Sequence, residues 1–171
     1  NKLIYTHFKE RGFITSQSIN FCVSTPITYE PDDSKIFQWE NFDFEFFSLF
    51  CDPNYTAYGK EYSMFMGPYS VFRRCLYGKD TYQYVLDFGD LFWNTYSAQK
   101  KFLQLTFIDA HEITLEAIKY VDDPLLQFLE KNEKSFIDND TTLIFMSDHG
   151  LHMNGFGHAL DLDDIITELT I

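Results

Sequence analysis

Two acid–imidazole pairs are the residues of this sequence best suited to chemistry. Asp148 and His149 follow the apolar run 143–146 and Ser147, and Gly150 comes directly after them. Asp109 and His111 stand one residue apart after a stretch rich in β-forming side chains, 102–108. A carboxylate and an imidazole together offer a hard oxygen and a nitrogen to one divalent cation. Imidazole ligation favours zinc or manganese over magnesium or calcium, which take oxygen ligands. His158, in the Gly-containing loop beyond the second pair, is a further candidate ligand. His111 is equally suited to contact a substrate oxyanion. The same residues admit plainer roles. Asp148 could cap a helix with His149 on a polar rim, and Asp109 and Glu112 could sit in a first helical turn near the positive end of its dipole.

These pairs act together only if the fold brings them together. The pattern predicts a strand over 102–108, a helix over 114–121, and a second helix restarted by Asp123 and Pro124 that runs to about Asn132. It then predicts a buried strand over 142–147. A crossover of this length makes the two strands parallel and the connection right-handed. Both strands would end on one edge of the sheet, where open α/β sheets bind ligands. Upstream, residues 2–11 read as a helix stopped by Gly12, with a strand starting at Phe13. Asp80 is placed to cap a helix reaching Ser97, with Tyr84, Val85, Phe88, Leu91 and Phe92 on its apolar face. The aromatic stretch 42–50 reads as core. The expected architecture is a single α/β domain over residues 1–171, a mostly parallel sheet flanked by helices.

Bulk properties exclude several classes. With 19% aromatic residues in 171, the chain is not of disordered composition. A net charge of −13 opposes nucleic-acid binding, which requires neutralising phosphates. No apolar stretch approaches the ~20 residues of a membrane-spanning helix, so any membrane attachment must come from parts outside this sequence. Cys22, Cys51 and Cys75 have no close metal-binding spacing and allow one disulfide of unspecified pairing. With the sequons at Asn54 and Asn139, they favour an extracellular or lumenal setting.

The segment 144–150, Ile-Phe-Met-Ser-Asp-His-Gly, resembles the signature of the alkaline phosphatase superfamily in its sulfatase-like branch. That branch includes sulfatases, phosphoethanolamine transferases and nucleotide pyrophosphatases. Gly12-Phe-Ile-Thr, Cys51-Asp-Pro-Asn-Tyr55, Gly67-Pro-Tyr-Ser, Arg73-Arg-Cys-Leu and Asp109-Ala-His111-Glu occur in an order similar to a eukaryotic sulfatase-like family of unknown function. The resemblance implies that Asp148 and His149 bind the metal. It implies that His111 contacts substrate or a second metal, with Asp109 a weaker match. It also implies a nucleophile at a helix start after the first strand of the domain, for which no match occurs here. On that basis the chain is expected to be a central slice of a larger domain, inactive alone, with the nucleophile upstream of Asn1. The implied activity is metal-dependent hydrolysis or transfer of phosphate or sulfate esters. Histidine at position 149 leans towards phosphoesters, and the substrate would be an anionic ester on a partner such as a glycan or lipid headgroup. The alternative is a non-catalytic secreted binding or structural module that keeps the fold.

Overall fold

The computed structural model describes residues 3–20, 42–46, 75–111 and 117–147. Helix α1 (Ile4–Glu10) leads into strand β1 (Ile14–Ile19). Gly12, at φ +79°, closes the helix as expected. Its N–H bonds to the Lys9 carbonyl and that of Phe13 to the Phe8 carbonyl, the paired closure that a left-handed residue permits. Strand β2 (Phe44–Phe46) and strand β5 (Lys101–Thr106) flank β1, both parallel to it, in the order β2-β1-β5. Between them lies a hairpin of β3 (Cys75–Leu76) and β4 (Lys79–Asp80). Its two-residue loop, Tyr77 and Gly78, has positive φ at both positions, which suits the right-handed twist of the flanking strands. Helix α2 (Thr81–Thr95) follows, and helix α3 (Lys119–Asp138) succeeds β5. The α/β class and the parallel sheet are those expected from the sequence.

Register shows how the sheet is covered. Ser16 pairs with Phe44 and Leu103, and Ser18 with Phe46 and Leu105, so these six side chains share one face. Helix α2 packs there: Phe92 lies against Phe44 and Phe88 stacks on Phe46. A Cβ at Gly89 would come within 3.0 Å of a Leu105 methyl, so the missing side chain lets α2 sit close to β5. Tyr82, Leu86 and Val121 form the core cluster, with Leu105, Phe107, Leu125 and Phe128 packed on it. The opposite face is covered by α1, where Phe8 stacks on Phe102 at 4.8 Å and Tyr5 on Phe42 at 4.1 Å.

Five sequence expectations are corrected. Asp80 occupies the cap position of α2 but makes no capping hydrogen bond; its carboxylate accepts from the Tyr82 hydroxyl instead. Leu91 is exposed, because the buried stripe runs through Tyr82, Leu86, Gly89 and Trp93. Pro124 lies inside α3 rather than opening a second helix, and the helix continues to Asp138. Packing of Val121, Leu125 and Phe128 on the core outweighs the one backbone bond that Pro124 forgoes. Residues 142–147 join no strand among the described residues, and Leu143 to Met146 are exposed by 50, 75, 64 and 80% in turn. The helix predicted over 114–121 begins only at Lys119, and residues 112–116 lie outside the described ones.

Asp43 ties β2, β1 and α1 together. Its carboxylate accepts from the Thr15 N–H and hydroxyl, each at 2.9 Å, and pairs with Lys9 at 2.8 Å. Partial burial pushes the carboxyl up, but the Lys9 and Thr15 hydrogen bonds outweigh it and hold it below the usual value. A depressed pKa contributes stability that is present above the unfolded value, near 4, and lost as pH falls through the folded one. Asp43→Asn should therefore flatten the acid limb of a thermal-stability profile between about pH 4 and pH 2. In contrast, the buried Ser16 hydroxyl beneath α2 has no hydrogen-bond partner among the described residues. Ser16→Ala should raise stability by about 1 kcal/mol in urea unfolding, since the unpaired hydroxyl is removed.

Candidate functional site

The parallel strands β1 and β5 end on the same edge, and polar residues follow both within three positions. Asn20 comes directly after β1. A single 3-10 turn, Ile108–His111, comes after β5 and carries Asp109. Asn20 and Asp109 are both buried, at 6% and 7% exposure. The Asn20 amide donates to Asp109 Oδ2 at 2.7 Å and to Thr81 Oγ1 at 3.2 Å. Its carbonyl accepts from the Ile108 N–H at 3.0 Å. Both amide hydrogens and the oxygen are thus in use. One side chain joins the end of β1, the turn after β5 and the first residue of α2.

Helix α2 begins at this edge, where the hydroxyl of its first residue, Thr81, accepts from the Asn20 amide, so the amino end of the helix lies there. The partial positive charge of that end favours carboxylates and other anions. The buried Asp109 carboxylate is therefore placed by an amide hydrogen bond from Asn20 in a region suited to negative charge. Metal-ligating carboxylates are oriented by such outer partners, so the donor chemistry fits a divalent cation. Asp109 alone cannot hold one. Among the described residues no three His, Cys, Asp or Glu side chains gather into a metal cage.

The predicted site residues fall into three groups. Asp109 stands at the carboxyl edge of the sheet, as the strand pattern implied. His111 closes the same 3-10 turn, but its side chain lies outside what the structure describes. Asp148, His149 and His158 lie outside the described residues altogether. Sequence reasoning missed Asn20 and Thr81. Asn20 carried one usable signal, a polar side chain directly after a strand. Thr81 carried none, because its role depends on where α2 starts in space. Cys75 is an exposed free thiol, whereas Cys22 and Cys51 lie outside the described residues. No described helix is long and apolar enough to cross a membrane.

A family model described as "Protein of unknown function (DUF229)" matches residues 2–161. No curated protein and no solved structure matches the chain.

Removing the Asn20 amide leaves a buried carboxylate and a part-buried N–H each short of a partner. Asn20→Ala should cost about 2–4 kcal/mol in denaturant unfolding. Asn20→Asp would set two carboxylates side by side and raise their pKa. That variant should lose stability as pH rises through the carboxylate range, the opposite trend to Asp43, in thermal melts taken across pH 3 to 8 (roughly the span of a raised carboxyl pKa).

Proposed function

The chain belongs to the DUF229 family, a sulfatase-like family of unknown function, and from that premise we propose that it supplies the metal-binding edge of an ester-processing enzyme. The reaction is hydrolysis or transfer of a phosphate or sulfate ester, with phosphoesters favoured by the imidazole at position 149. The observation that carries this reading is the Asn20–Asp109 tie. It fixes a buried carboxylate at the carboxyl edge of the sheet, in the same turn that ends at His111.

In this reading Asp148 and His149 hold the cation, with Asp109 and His158 as lesser ligands. When bound, the cation lowers the pKa of an attacking oxygen and offsets negative charge on the ester. The chain's own residues do the remainder. Asn20 keeps the Asp109 carboxylate aimed and stops the turn after β5 from moving. His111 donates a hydrogen bond to a non-bridging ester oxygen, and the amino end of α2 favours that anion. No residue here matches the nucleophile of sulfatase-like enzymes, so the reading places that group outside these 171 residues. The cation is zinc or manganese, because imidazole nitrogen is a poor ligand for calcium and magnesium. The substrate is an anionic ester carried by a glycan or lipid headgroup in an extracellular or lumenal compartment.

Metal content decides between this and a non-catalytic binding module. Purified protein loaded with zinc and then dialysed should retain close to one equivalent, and the Asp148→Ala, His149→Ala double variant should retain almost none. Equal content in parent and double variant would overturn the reading and leave the binding or structural module.

A further inference from the structure

The two edges of the sheet carry different chemistry. Asn20 and Asp109 occupy the carboxyl edge, and the end of α3 lies at the other. The Trp93 indole donates to Ser135 Oγ at 3.0 Å, and the Lys101 ammonium stands 4.3 Å over the same ring. Lys101 is the first residue of β5, so the last turn of α3 lies beside the amino edge. Asn139 is the C-cap of that turn and is exposed. It also begins the triplet Asn139-Asp140-Thr141. An Asn-x-Thr triplet without proline at its centre is the acceptor pattern for an N-linked glycan.

Such triplets arise often by chance, and asparagine is also common at helix ends. The hydrogen bonds separate the two roles. Asn139 Nδ2 donates to the Ser135 carbonyl at 2.6 Å and to Ser135 Oγ at 3.3 Å. Neither oxygen depends on it. The Ser135 carbonyl also accepts from the Asn139 backbone N–H at 3.2 Å, and Ser135 Oγ accepts from Trp93. The side-chain amide is thus a second donor at both oxygens. It can give up a hydrogen to a covalent bond without leaving a polar group unpaired. One hydrogen stays on the nitrogen for Ser135. The backbone exposes the triplet as well. Asp140, at φ +51°, turns the chain out of the helix, and the Thr141 N–H closes on the Phe136 carbonyl at 3.0 Å. Aspartate is one of the few residues that accept this left-handed conformation. Asn139 and Asp140 are exposed and Thr141 is half-buried. A group on Nδ2 therefore leaves the surface at the amino edge. Six residues of β5 separate that edge from the turn bearing Asp109, about 20 Å at the rise of a strand.

We propose that Asn139 carries an N-linked glycan when the chain enters a lumenal compartment, and that compartment is part of the functional reading above. In the transfer, Asn139 Nδ2 bonds to C1 of the first sugar of a lipid-pyrophosphate-linked oligosaccharide. The C1–O bond breaks, the lipid pyrophosphate leaves with its electron pair, and one amide proton passes to a base of the transferase. The Thr141 hydroxyl is the group the transferase reads. The attached glycan is bulky and hydrophilic. It shields the amino edge and stays clear of the carboxyl edge, where Asp109 lies.

The full chain expressed in eukaryotic cells tests this. Enzymatic release of N-glycans converts each glycosylated Asn to Asp, which mass spectrometry of the peptides locates. Asn139 should be converted in the parent and in Thr141→Ser. It should be unconverted in Thr141→Ala, which keeps the Asn139 side chain at the helix end and removes only the triplet. A second arm places a cleavable secretory leader before the chain and translates it with microsomes, so that it enters a lumen whatever its native compartment. A glycan at Asn54 with Asn139 bare in cells would overturn the proposal and leave the lumenal setting standing. Asn139 bare in both arms would also overturn it. Asn139 occupied with microsomes, when both asparagines are bare in cells, supports the acceptor site and contradicts the lumenal setting.

Discussion

The Asn20 side chain is held in three directions at the carboxyl edge of the sheet. It is the contact on which the geometry of this edge depends. Its carbonyl fixes the turn after β5, one amide hydrogen fixes Asp109, and the other reaches the start of α2. Asn20, Asp109 and Thr81 are buried and Ile108 partly so, which limits exchange of these partners for water. The amino end of the sheet has a counterpart in Asp43, which joins β2, β1 and α1. The two ties differ in exposure. Asp43 lies near solvent, where screening limits what an ion pair contributes. Asn20 sits among buried neighbours, where an incomplete set of hydrogen bonds is costly.

Between these ties, the sheet is shaped by small side chains. Ser16 and Ser18 lie under α2, and Gly89 removes a side chain where the helix meets Leu105. Large aromatic rings then fill the margins, Phe44 and Phe46 on one face and Phe8 and Phe102 on the other. This division explains a high aromatic content with a slender central strand. The rings bury much apolar area from the flanks, and the centre stays thin enough for a helix to approach.

Much of the frame was legible in the sequence because it follows from local chemistry. Gly12 announced the end of α1, and the apolar period announced α2, α3 and β5. Connection length pointed to a parallel partner for β5 at 142–147, whereas the parallel neighbour described is β1. What was not legible depended on tertiary choice. Pro124 was read as a helix start, whereas core packing of its neighbours carries the helix through it. The buried face of α2 turns away from Leu91, and Gly89, invisible to a hydrophobic count, lets the helix approach Leu105 of β5. The run 142–147 has strand chemistry, but pairing requires an edge to be met in space. Asp109 was identified from spacing, whereas its partner Asn20 was not, since no periodicity marks a residue 89 positions away.

The central claim is that a divalent cation binds at the carboxyl edge of this sheet, beside Asp109, and not diffusely on an acidic surface. Substoichiometric manganese added to isotopically labelled protein tests this directly, because the paramagnetic ion broadens the amide signals nearest to it. The account predicts selective loss of the signals of Asn20, Thr81, Ile108 and Asp109, with Lys100 and Lys101 at the far edge retained. Even broadening across the molecule, or loss centred on the acidic residues of α3, would contradict it.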